Sequence, residues 1–359
     1  MEIYVNARFL TQKLTGVQRY AIELSKQLKR LYNRKIKFVC PQNVVNKEVF
    51  DELNAIIIGK HTRHLWEQWD LPRYLRKHGN PLLLCLCNTA PLYYKNKIVT
   101  VHDVAFMAYP QTFSKSFLYV YRFMIPRIMR SAKKVITVSE FSKSEIVKYY
   151  GINREKIDVV YNAVGADFRK KEDEKLKKQK YILAVSSLNY RKNFLAVLKA
   201  FSILEKTDKE TALYIIGDLK NTNFAGVDIE QYKKDQRINF LGRVSDNELI
   251  RYYSNAAAFI YPSIYEGFGI PPLEAQRCGC KVIIADIPPL REVVADSGLY
   301  CNPYDVNDIA NKMMSSITDS NDLSNKGDTN SMRFSWKTSA EKIKGIIEDI
   351  SKIDNDSKH

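Results

Sequence analysis

The sequence lacks any long apolar run. Nowhere in its 359 residues does an uninterrupted apolar stretch approach the roughly 20 residues that a membrane-spanning helix needs. Near the start, the acidic residue Glu2 stands where a secretory signal peptide would carry its basic region. These absences argue against a membrane-spanning or secreted protein, and they predict a cytoplasmic one.

Cysteine is scarce, and its spacing is not that of a metal site. The chain has six cysteines, and none of them forms the paired C-x-x-C pattern of structural zinc sites. Cys85 and Cys87 alternate with leucines in P-L-L-L-C-L-C, a pattern that indicates a buried strand. We therefore expect six reduced, mostly buried thiols, with no disulfide framework and no metal.

Acidic residues are in short supply in the first half of the chain. Residues 1–170 contain 29 Lys and Arg against 13 Asp and Glu, whereas residues 171–359 contain 27 of each kind, so the whole net charge of +16 belongs to the first half. Such asymmetry predicts contact with an acidic partner, either nucleic acid or an anionic membrane. The basic residues are scattered over several predicted helices without an interleaved aromatic platform, which disfavours nucleic acid.

Short apolar runs alternate with amphipathic segments along the whole chain, which predicts βαβ units and mostly parallel sheets. The predicted strands are Glu2–Ala7, Ile36–Cys40, Ala55–Ile58, Pro81–Cys87, Ile98–His102, Lys134–Val138, Tyr181–Ser186, Ala212–Gly217, Arg237–Leu241, Ala258–Tyr261 and Lys281–Ala285. The predicted helices are Gly16–Arg30, Trp66–Lys77, Phe117–Arg130, Ser142–Tyr150, Asn193–Leu204, Glu248–Ala256, a helix start at Pro272–Arg277, and Ser335–Ile350.

A run of charged residues from Arg169 to Lys178 interrupts the alternation, and the length of the chain also favours two domains. We expect an N-terminal domain over residues 1–168, a charged linker over 169–180, a C-terminal domain over 181–335, and a terminal helix over 336–359 that packs back toward the N-terminal domain. Each domain would be doubly wound, and a ligand would lie in the crevice at the carboxyl ends of the strands.

The stretch Y-E-G-F-G-I-P-P-L-E-A follows a predicted buried strand and carries two acids, Glu266 and Glu274. Two glycines permit a tight turn, and the adjacent prolines suit the first turn of a helix, where a missing N–H costs nothing. The amides of Gly269 and Ile270 and the helix dipole would then face a ligand such as a phosphate or a sugar. The alternative is a capping glutamate at Glu274 and a surface acid at Glu266.

This stretch resembles the E-x7-E region of the retaining nucleotide-sugar glycosyltransferases of family 4, which have the GT-B fold. Six further segments are similar to signatures of that family in the same order, so the resemblance covers nearly the whole chain. They are T-G-V-Q-R-Y-A-I-E-L, V-H-D-V-A-F, I-T-V-S-E-F-S-K, V-Y-N-A-V, S-S-L-N-Y-R-K-N and F-L-G-R-V-S-D-N-E-L. The resemblance implies an α/β protein with two Rossmann-like, doubly wound domains that face each other across a cleft.

The resemblance also implies roles for the residues of this stretch. Glu274 would accept hydrogen bonds from the two ribose hydroxyls of the donor. Glu266 would contact the donor sugar beside its reacting carbon, helped by the backbone of Phe268 and Gly269. Lys192, with Arg191 as a second candidate, would neutralise the diphosphate, on which negative charge grows as the nucleotide leaves.

The remaining implied donor contacts are spread over other loops. The loop Gly242–Ser245, including Arg243 and Val244, would hold the base through backbone atoms, and Gly16, Ser187 and Ile270 would complete the donor site. The sequence departs from the family where Thr15-Gly16-Val17 stands in place of a Gly-Gly pair, where Ser186-Ser187 stands in place of a glycine, and where Tyr190 replaces a frequent proline.

His102 would be the catalytic contribution of the first domain. In the family, the matching histidine lies at the carboxyl end of a strand and contacts the transferred sugar. A His-Asp pair that ends an apolar strand is otherwise typical of a hydrogen-bonded structural pair. We therefore expect Glu266 and His102 to act at the sugar.

The implied activity is retaining transfer of a hexose from a nucleotide sugar to an oligosaccharide or polyprenyl-diphosphate-linked acceptor, in O-antigen or capsule synthesis. GDP-mannose is the first choice of donor, with UDP- and dTDP-sugars as alternatives, and no metal or other cofactor is expected because no D-x-D stands at a strand end. A nucleotide-sugar epimerase of similar architecture is the alternative enzyme.

The basic N-terminal domain would place this enzyme on the inner face of the plasma membrane. Candidate membrane contacts are the basic residues Arg73, Arg76, Lys77, Arg122, Arg127 and Arg130, with Trp66, Trp69 and Tyr74 at headgroup level.

Overall fold

The computed structural model describes residues 2–185, 190–217, 230–318 and 322–356. The chain divides into two compact units. The first consists of residues 1–162 together with residues 334–359, and the second consists of residues 163–333.

Each unit is built on one parallel sheet. The strands are β1 Ile3–Asn6, β2 Ile36–Cys40, β3 Ile56–Ile57, β4 Leu82–Cys85, β5 Lys97–Thr100, β6 Lys134–Thr137, β7 Ile157–Val159, β8 Tyr181–Val185, β9 Ala212–Ile216, β10 Ile238–Gly242, β11 Ala258–Tyr261, β12 Val282–Ala285 and β13 Leu299–Cys301. The first sheet has the order β3-β2-β1-β4-β5-β6-β7, and the second has the order β10-β9-β8-β11-β12-β13. All of the neighbouring strands run parallel, so their carboxyl ends share one edge of each sheet.

Helices connect the strands. They are α1 Gly16–Tyr32, α2 Lys47–Leu53, α3 Arg63–Leu65, α4 Leu71–Lys77, α5 Ala105–Ala108, α6 Lys115–Ser131, α7 Glu140–Tyr150, α8 Glu174–Lys177, α9 Phe194–Leu204, α10 Glu230–Lys233, α11 Asp246–Asn255, α12 Ile270–Arg277, α13 Pro288–Val294, α14 Val306–Thr318, α15 Leu323–Ser331 and α16 Trp336–Asp356. A π-helical turn over Trp66–Asp70 joins α3 to α4, and short 3-10 turns occur at Arg8–Thr11 and Tyr190–Lys192.

The central strands are buried on both faces, which is why their sequences are nearly continuous apolar runs. β4 and β11 are buried along their whole length. One apolar core lies in the first unit, around Tyr4, Trp66 and Ile128, and another lies in the second unit, around Phe201 and Ile260. The sheets therefore present rigid carboxyl edges from which the loops project.

The last helix returns to the first unit. α16 packs against α1 with the apolar face that the sequence predicted, because Ile343, Ile346, Ile347 and Ile350 are all buried. Within the same unit, Trp336 lies edge to face with Tyr20, their ring centroids 5.9 Å apart.

The charged segment that follows residue 168 lies against the second unit. The backbone N–H of Lys171 donates to Ser254 Oγ at 2.9 Å, and the Asp173 carboxylate accepts a hydrogen bond from Arg251 Nε at 2.7 Å. Asp173 also caps α8 by accepting hydrogen bonds from two backbone N–H groups of that helix. These bonds make the segment part of the second unit.

Two further features concern the state of the cysteine thiols and the apolar character of the helices. All six cysteines are free and five of them are buried, which confirms the prediction of reduced thiols. Among the described residues, no helix combines the length and the apolar character needed to cross a bilayer.

Trp66 is not at the surface. Its side chain is fully buried, and its indole N–H donates to the carbonyl of Ile58 at 2.7 Å. The placement of Trp66 at headgroup level was therefore wrong, because helical spacing does not reveal which face of a segment packs inward. Trp69, three residues further on, is 60% exposed.

Candidate active site

The second unit contains a buried ion pair at the carboxyl edge of its sheet. Lys192 Nζ lies 2.6 Å from Glu266 Oε1 and also donates to the hydroxyl of Tyr261 at 2.6 Å. The Tyr261 hydroxyl in turn donates to Glu266 Oε1 at 2.7 Å. Tyr261 is the last residue of β11, and Lys192 follows the neighbouring strand β8, so the parallel sheet brings the three groups together.

The carboxylate of Glu266 stays ionised in spite of its burial. Burial alone would raise its pKa, but the charge of Lys192 and the hydrogen bonds from Lys192 and Tyr261 outweigh that effect and lower the pKa. Burial likewise opposes the charge of Lys192, yet Glu266 raises the pKa of that ammonium group. The cluster therefore presents one full negative and one full positive charge in a site with little solvent.

Asn193 fixes the turn that carries Lys192. Its backbone is in the left-handed region, with φ of 56°, which asparagine tolerates better than most residues. Its side-chain amide donates to the carbonyls of Pro262 at 3.1 Å and Pro303 at 2.6 Å. The carbonyl of Arg191 accepts a hydrogen bond from the Ile264 backbone at 2.8 Å, which ties the Lys192 turn to the loop before Glu266.

The loop after Glu266 leads directly into α12, as the glycines and prolines predicted. Gly269 has φ of 100°, and a Cβ atom there would lie 2.5 Å from Leu290 Cδ2, so only glycine fits. Pro271 and Pro272 have no N–H, which leaves the amides of Gly269 and Ile270 as the donors at this helix start.

Glu274 lies further along α12 and is buried at 8% exposure, as Glu266 is. Phe268 is buried as well, so the two acids and the backbone between them form one compact segment. Burying two carboxylates in one short segment is costly unless each has a partner. Because Glu266 is buried, the alternative interpretation of this residue as a surface acid does not hold.

The third predicted part of the donor site follows β10. Gly242 ends this strand with φ of 69°, and nothing lies within 4 Å of where its Cβ would be. Arg243 and Val244 come next, and Ser245 then caps α11 in a capping box with Glu248. Of the other predicted residues, Ser187 lies outside the described part of the chain.

His102 lies in the first unit, just beyond the carboxyl end of β5. Its ring Nε2 is 3.0 Å from the carbonyl of Leu86, and its backbone N–H donates to Asn88 Oδ1 at 2.9 Å. A carbonyl only accepts, so Nε2 carries the proton and Nδ1 is the acceptor. Burial lowers the pKa of His102, against the opposing influence of Leu86 and Asp103, so the ring is neutral at pH 7.

Gly16 begins α1, and its neighbour Thr15 is the N-cap residue, although the Thr15 hydroxyl bonds to the Gln18 side chain and not to the helix backbone. Further along α1, the ring of Tyr20 lies edge to face with His102 at 4.7 Å. Through this ring contact, α1 packs against His102 within the first unit.

The structure brings together Lys192 with Glu266, and Gly269 and Ile270 with Glu274. Sequence reasoning missed Tyr261 and Asn193, which hold these groups in place. Tyr261 ends the strand before the loop and Asn193 directly follows Lys192, so a search for polar residues at strand ends could have found the first. Among the described residues, no three His, Cys, Asp or Glu side chains converge as metal ligands.

Two family models together match most of the chain. The model described as Glycosyltransferase Family 4 matches residues 14–168, and the model described as Glycosyl transferases group 1 matches residues 166–332.

Two relatives carry a common description. The chain is 32% identical over 322 residues to the O-antigen chain mannosyltransferase RfbU of Salmonella typhimurium, covering 84% of this chain and 87% of that protein. It is 26% identical over 376 residues to the O-antigen chain mannosyltransferase B of Escherichia coli, covering 94% of this chain and 97% of that protein.

Solved structures resemble the fold along almost the full length. The Anabaena protein HepE, crystallised with UDP and glucose, matches with a TM-score of 0.74 at 18% identity, covering 97% of this chain and 100% of that one. This similarity, together with the two parallel sheets, confirms the predicted GT-B fold with two Rossmann-like domains.

Proposed function

This chain is a glycosyltransferase of family 4, and from that premise we propose that it transfers mannose from GDP-mannose to a growing O-antigen chain with retention of the α configuration. The names of RfbU and mannosyltransferase B support both the sugar and the acceptor class. The nearly complete overlap with these relatives supports a shared type of reaction.

The observation that carries this proposal is the cluster of Lys192, Tyr261 and Glu266. A donor sugar attached to a diphosphate requires a hydrogen-bond acceptor at the sugar and a cation at the phosphates. Glu266 and Lys192 supply these two groups 2.6 Å apart, and Tyr261 bonds to both. An anionic donor can bind beside Glu266 because the charge of Lys192 offsets the repulsion between the donor phosphates and the Glu266 carboxylate.

The nucleotide is held by the surrounding segments. Glu274 accepts hydrogen bonds from the ribose diol, and the amides of Gly269 and Ile270 face the donor at the positive end of α12. Arg191 joins Lys192 at the diphosphate. As the glycosidic bond breaks, negative charge accumulates on the leaving phosphate, so these fixed donors and cations stabilise the transition state more than the ground state.

The same cations explain how the reaction can proceed without a divalent metal. In metal-dependent transfer, the ion neutralises the departing diphosphate. Here Lys192, Arg191 and the α12 amides perform that role. We propose further that the neutral His102 accepts a hydrogen bond from a hydroxyl of the transferred sugar at Nδ1.

Melting temperatures in the presence of GDP, UDP, dTDP and CDP test the choice of donor. A nucleotide present at 100 times its dissociation constant stabilises the folded state by about 2.7 kcal/mol. We expect GDP to raise the melting temperature most. A larger rise with UDP or dTDP would replace GDP-mannose with another nucleotide sugar and leave the family assignment intact.

We also propose that the first unit binds an anionic membrane surface through helix α6. This helix has no acidic residue, and its solvent face carries Lys115, Arg122, Arg127 and Arg130 beside the exposed side chains of Tyr119 and Phe123. The Arg127 guanidinium lies 3.7 Å from the centre of the Phe123 ring. Basic and aromatic residues on one helix face are typical of interfacial helices, and a lipid-linked acceptor requires the enzyme to work at the membrane.

A further inference from the structure

A buried polar network links the first strand, the π-helical turn and the loop after β4. Glu67 Oε1 accepts hydrogen bonds from Asn6 Nδ2 at 2.7 Å, from Thr89 Oγ1 at 3.1 Å and from Arg8 Nε at 3.3 Å. Arg8 also donates from its Nη2 to Thr89 Oγ1 at 2.8 Å. The Glu67 side chain is only 1% exposed, so this charge is fully enclosed.

The network belongs to the segment W-E-Q-W-D, whose π-helical turn shifts the register of the helix. Such turns are rare and are often found at functional sites. The next residue of the turn, Gln68, holds the same loop, because its amide donates to the Ala90 carbonyl at 3.0 Å and its oxygen accepts from the Leu92 backbone at 2.9 Å. Two consecutive residues of the turn therefore fix one side of the loop Leu86–Ala90.

The same loop also holds His102. The Leu86 carbonyl accepts the Nε2 proton of the imidazole, and Asn88 Oδ1 accepts the backbone N–H of His102. Thr89, which bonds to Glu67 and Arg8, lies directly after Asn88. The loop is thus bonded both to the buried charges, through Thr89, and to His102, through Leu86 and Asn88.

We propose that Glu67, Gln68 and Thr89 are positioning residues for His102, which hold the loop Leu86–Ala90 so that its Leu86 carbonyl selects the Nε2–H tautomer. The inference rests on the role proposed for His102 at the sugar. The positioning role gives a reason for the charged pair of Arg8 and Glu67 in the interior of the first unit. Well-packed apolar side chains of similar size would often stabilise the protein equally well.

The charge state of the network is stable near neutral pH. Burial opposes the ionised form of Glu67, but Arg8, His64 and Thr89 together lower its pKa. The second carboxylate oxygen, Oε2, has no hydrogen bond among the described residues, and His64 Nδ1 lies 3.5 Å from it. Removing the Thr89 hydroxyl would therefore leave the network short of a donor without removing the charges.

The first test uses nitrogen NMR of the histidine rings in the full-length protein. In the wild type, His102 should show a single Nε2–H tautomer. Thr89→Val and Gln68→Ala should both allow the Nδ1–H tautomer to appear. The control is Asn46→Ala, which removes the cap of α2 in the same unit, where the Asn46 side chain accepts a hydrogen bond from the Val49 backbone. An unchanged His102 tautomer in folded Thr89→Val and Gln68→Ala proteins would overturn the proposal.

The second test is a double-mutant cycle on turnover. Thr89→Val should lower kcat about 10- to 100-fold while the affinity for the nucleoside diphosphate stays the same, because a small displacement of a catalytic group is enough for such a loss. In a His102→Ala background, Thr89→Val should have no further effect. Additive losses in the double variant would show that Thr89 does not act through His102.

The two tests separate the proposals. If the NMR result is as expected but His102→Ala by itself leaves kcat unchanged, the loop holds His102 and it is the role of His102 at the sugar that fails. If the tautomer is unchanged in the folded variants, the positioning proposal itself fails, whatever the substrate of the enzyme is.

Discussion

At the scale of single residues, Glu266 shows how strongly this site depends on paired charges. Its carboxylate is 8% exposed, and hydrogen bonds from Lys192 and Tyr261 compensate for the loss of water around it. A buried charge that loses its partner destabilises a protein far more than the intact pair stabilises it. Substitutions that break the ion pair of Lys192 and Glu266 should therefore change the free energy of unfolding as well as the activity.

Lys192→Met should lower the free energy of unfolding by about 3–5 kcal/mol, since it leaves Glu266 buried without a counter-charge. The double variant Lys192→Met/Glu266→Gln should recover part of that loss, because the unpaired charge is then gone. Urea unfolding measures both. Lys199→Met, at an exposed position of α9, is the control and should change stability little. A double variant no more stable than Lys192→Met alone would contradict the pairing argument.

Glu274→Ala should weaken GDP binding by about 10- to 100-fold, since hydrogen bonds to a charged acceptor contribute about 1.5–3 kcal/mol. Isothermal titration calorimetry with GDP measures the change. Glu210→Ala, which removes an exposed acid from the same unit, should leave the affinity as it is. If the folded Glu274→Ala protein binds GDP as tightly as the wild type, Glu274 does not bind the ribose.

Glu266 and Glu274 stand out in the sequence as two acids around a glycine- and proline-rich loop, whereas Lys192 was nominated through the resemblance to family 4. Tyr261 was not nominated, although it ends a predicted strand, because in the sequence it looks like one more aromatic residue of that strand. Its importance depends on a hydroxyl that emerges at the strand end beside Lys192, and only the register between β8 and β11 places it there.

At the scale of elements, the start of α12 requires a backbone that only glycine adopts easily. Gly269→Ala should destabilise the second unit, because φ of 100° is unfavourable for alanine and its Cβ would lie 2.5 Å from buried Leu290. Gly345→Ala is the matched control. Nothing lies within 4 Å of its added Cβ, and alanine in a helix interior should stabilise by about 0.5–1 kcal/mol.

Thermal unfolding of the two alanine variants measures these effects. We expect opposite signs, a lower melting temperature for Gly269→Ala and an equal or higher one for Gly345→Ala. A Gly269→Ala protein as stable as the wild type would show that the turn before α12 can rearrange at little cost, and that its conformation is not fixed by the packing of Leu290.

The sequence predicted the long elements within a few residues and missed several short ones. β2 and β11 have the predicted bounds, because each is an apolar run with a clear end. β7 and β13 have three residues each, too few for a visible alternation. α2 was missed as well, since its seven residues are mostly polar and exposed. Such elements are fixed by the sheet and core around them, not by their own pattern.

At the scale of the whole molecule, the charge asymmetry persists when the chain is divided as the structure divides it. The first unit has 32 Lys and Arg against 17 Asp and Glu, and the second has 24 against 23. The returning segment, residues 334–359, adds five basic and five acidic residues, so it leaves the excess of the first unit in place. A surface this basic attracts anionic lipid over about one Debye length, roughly 8 Å at physiological salt.

The double variant Arg122→Glu/Arg127→Glu should lower the affinity of the full-length protein for vesicles that contain anionic lipid by about tenfold or more, since each basic residue near such a surface contributes about 1 kcal/mol. Vesicle co-sedimentation measures it. Arg34→Glu/Lys35→Glu makes the same change in net charge at exposed positions of the same unit. Equal losses in the two double variants would mean that overall charge, and not α6, directs binding.

Mannose transfer from GDP-[14C]mannose to lipid-linked O-antigen intermediates tests the proposed reaction most directly, with EDTA present throughout and with the anomeric configuration of the product read by NMR. The wild type should form an α-linked product. Glu266→Gln should be slower by about 100-fold or more, because it loses the charge aimed at the sugar, and yet should bind GDP normally. Transfer that requires a divalent metal, a β-linked product, or full activity of Glu266→Gln would contradict the proposed reaction.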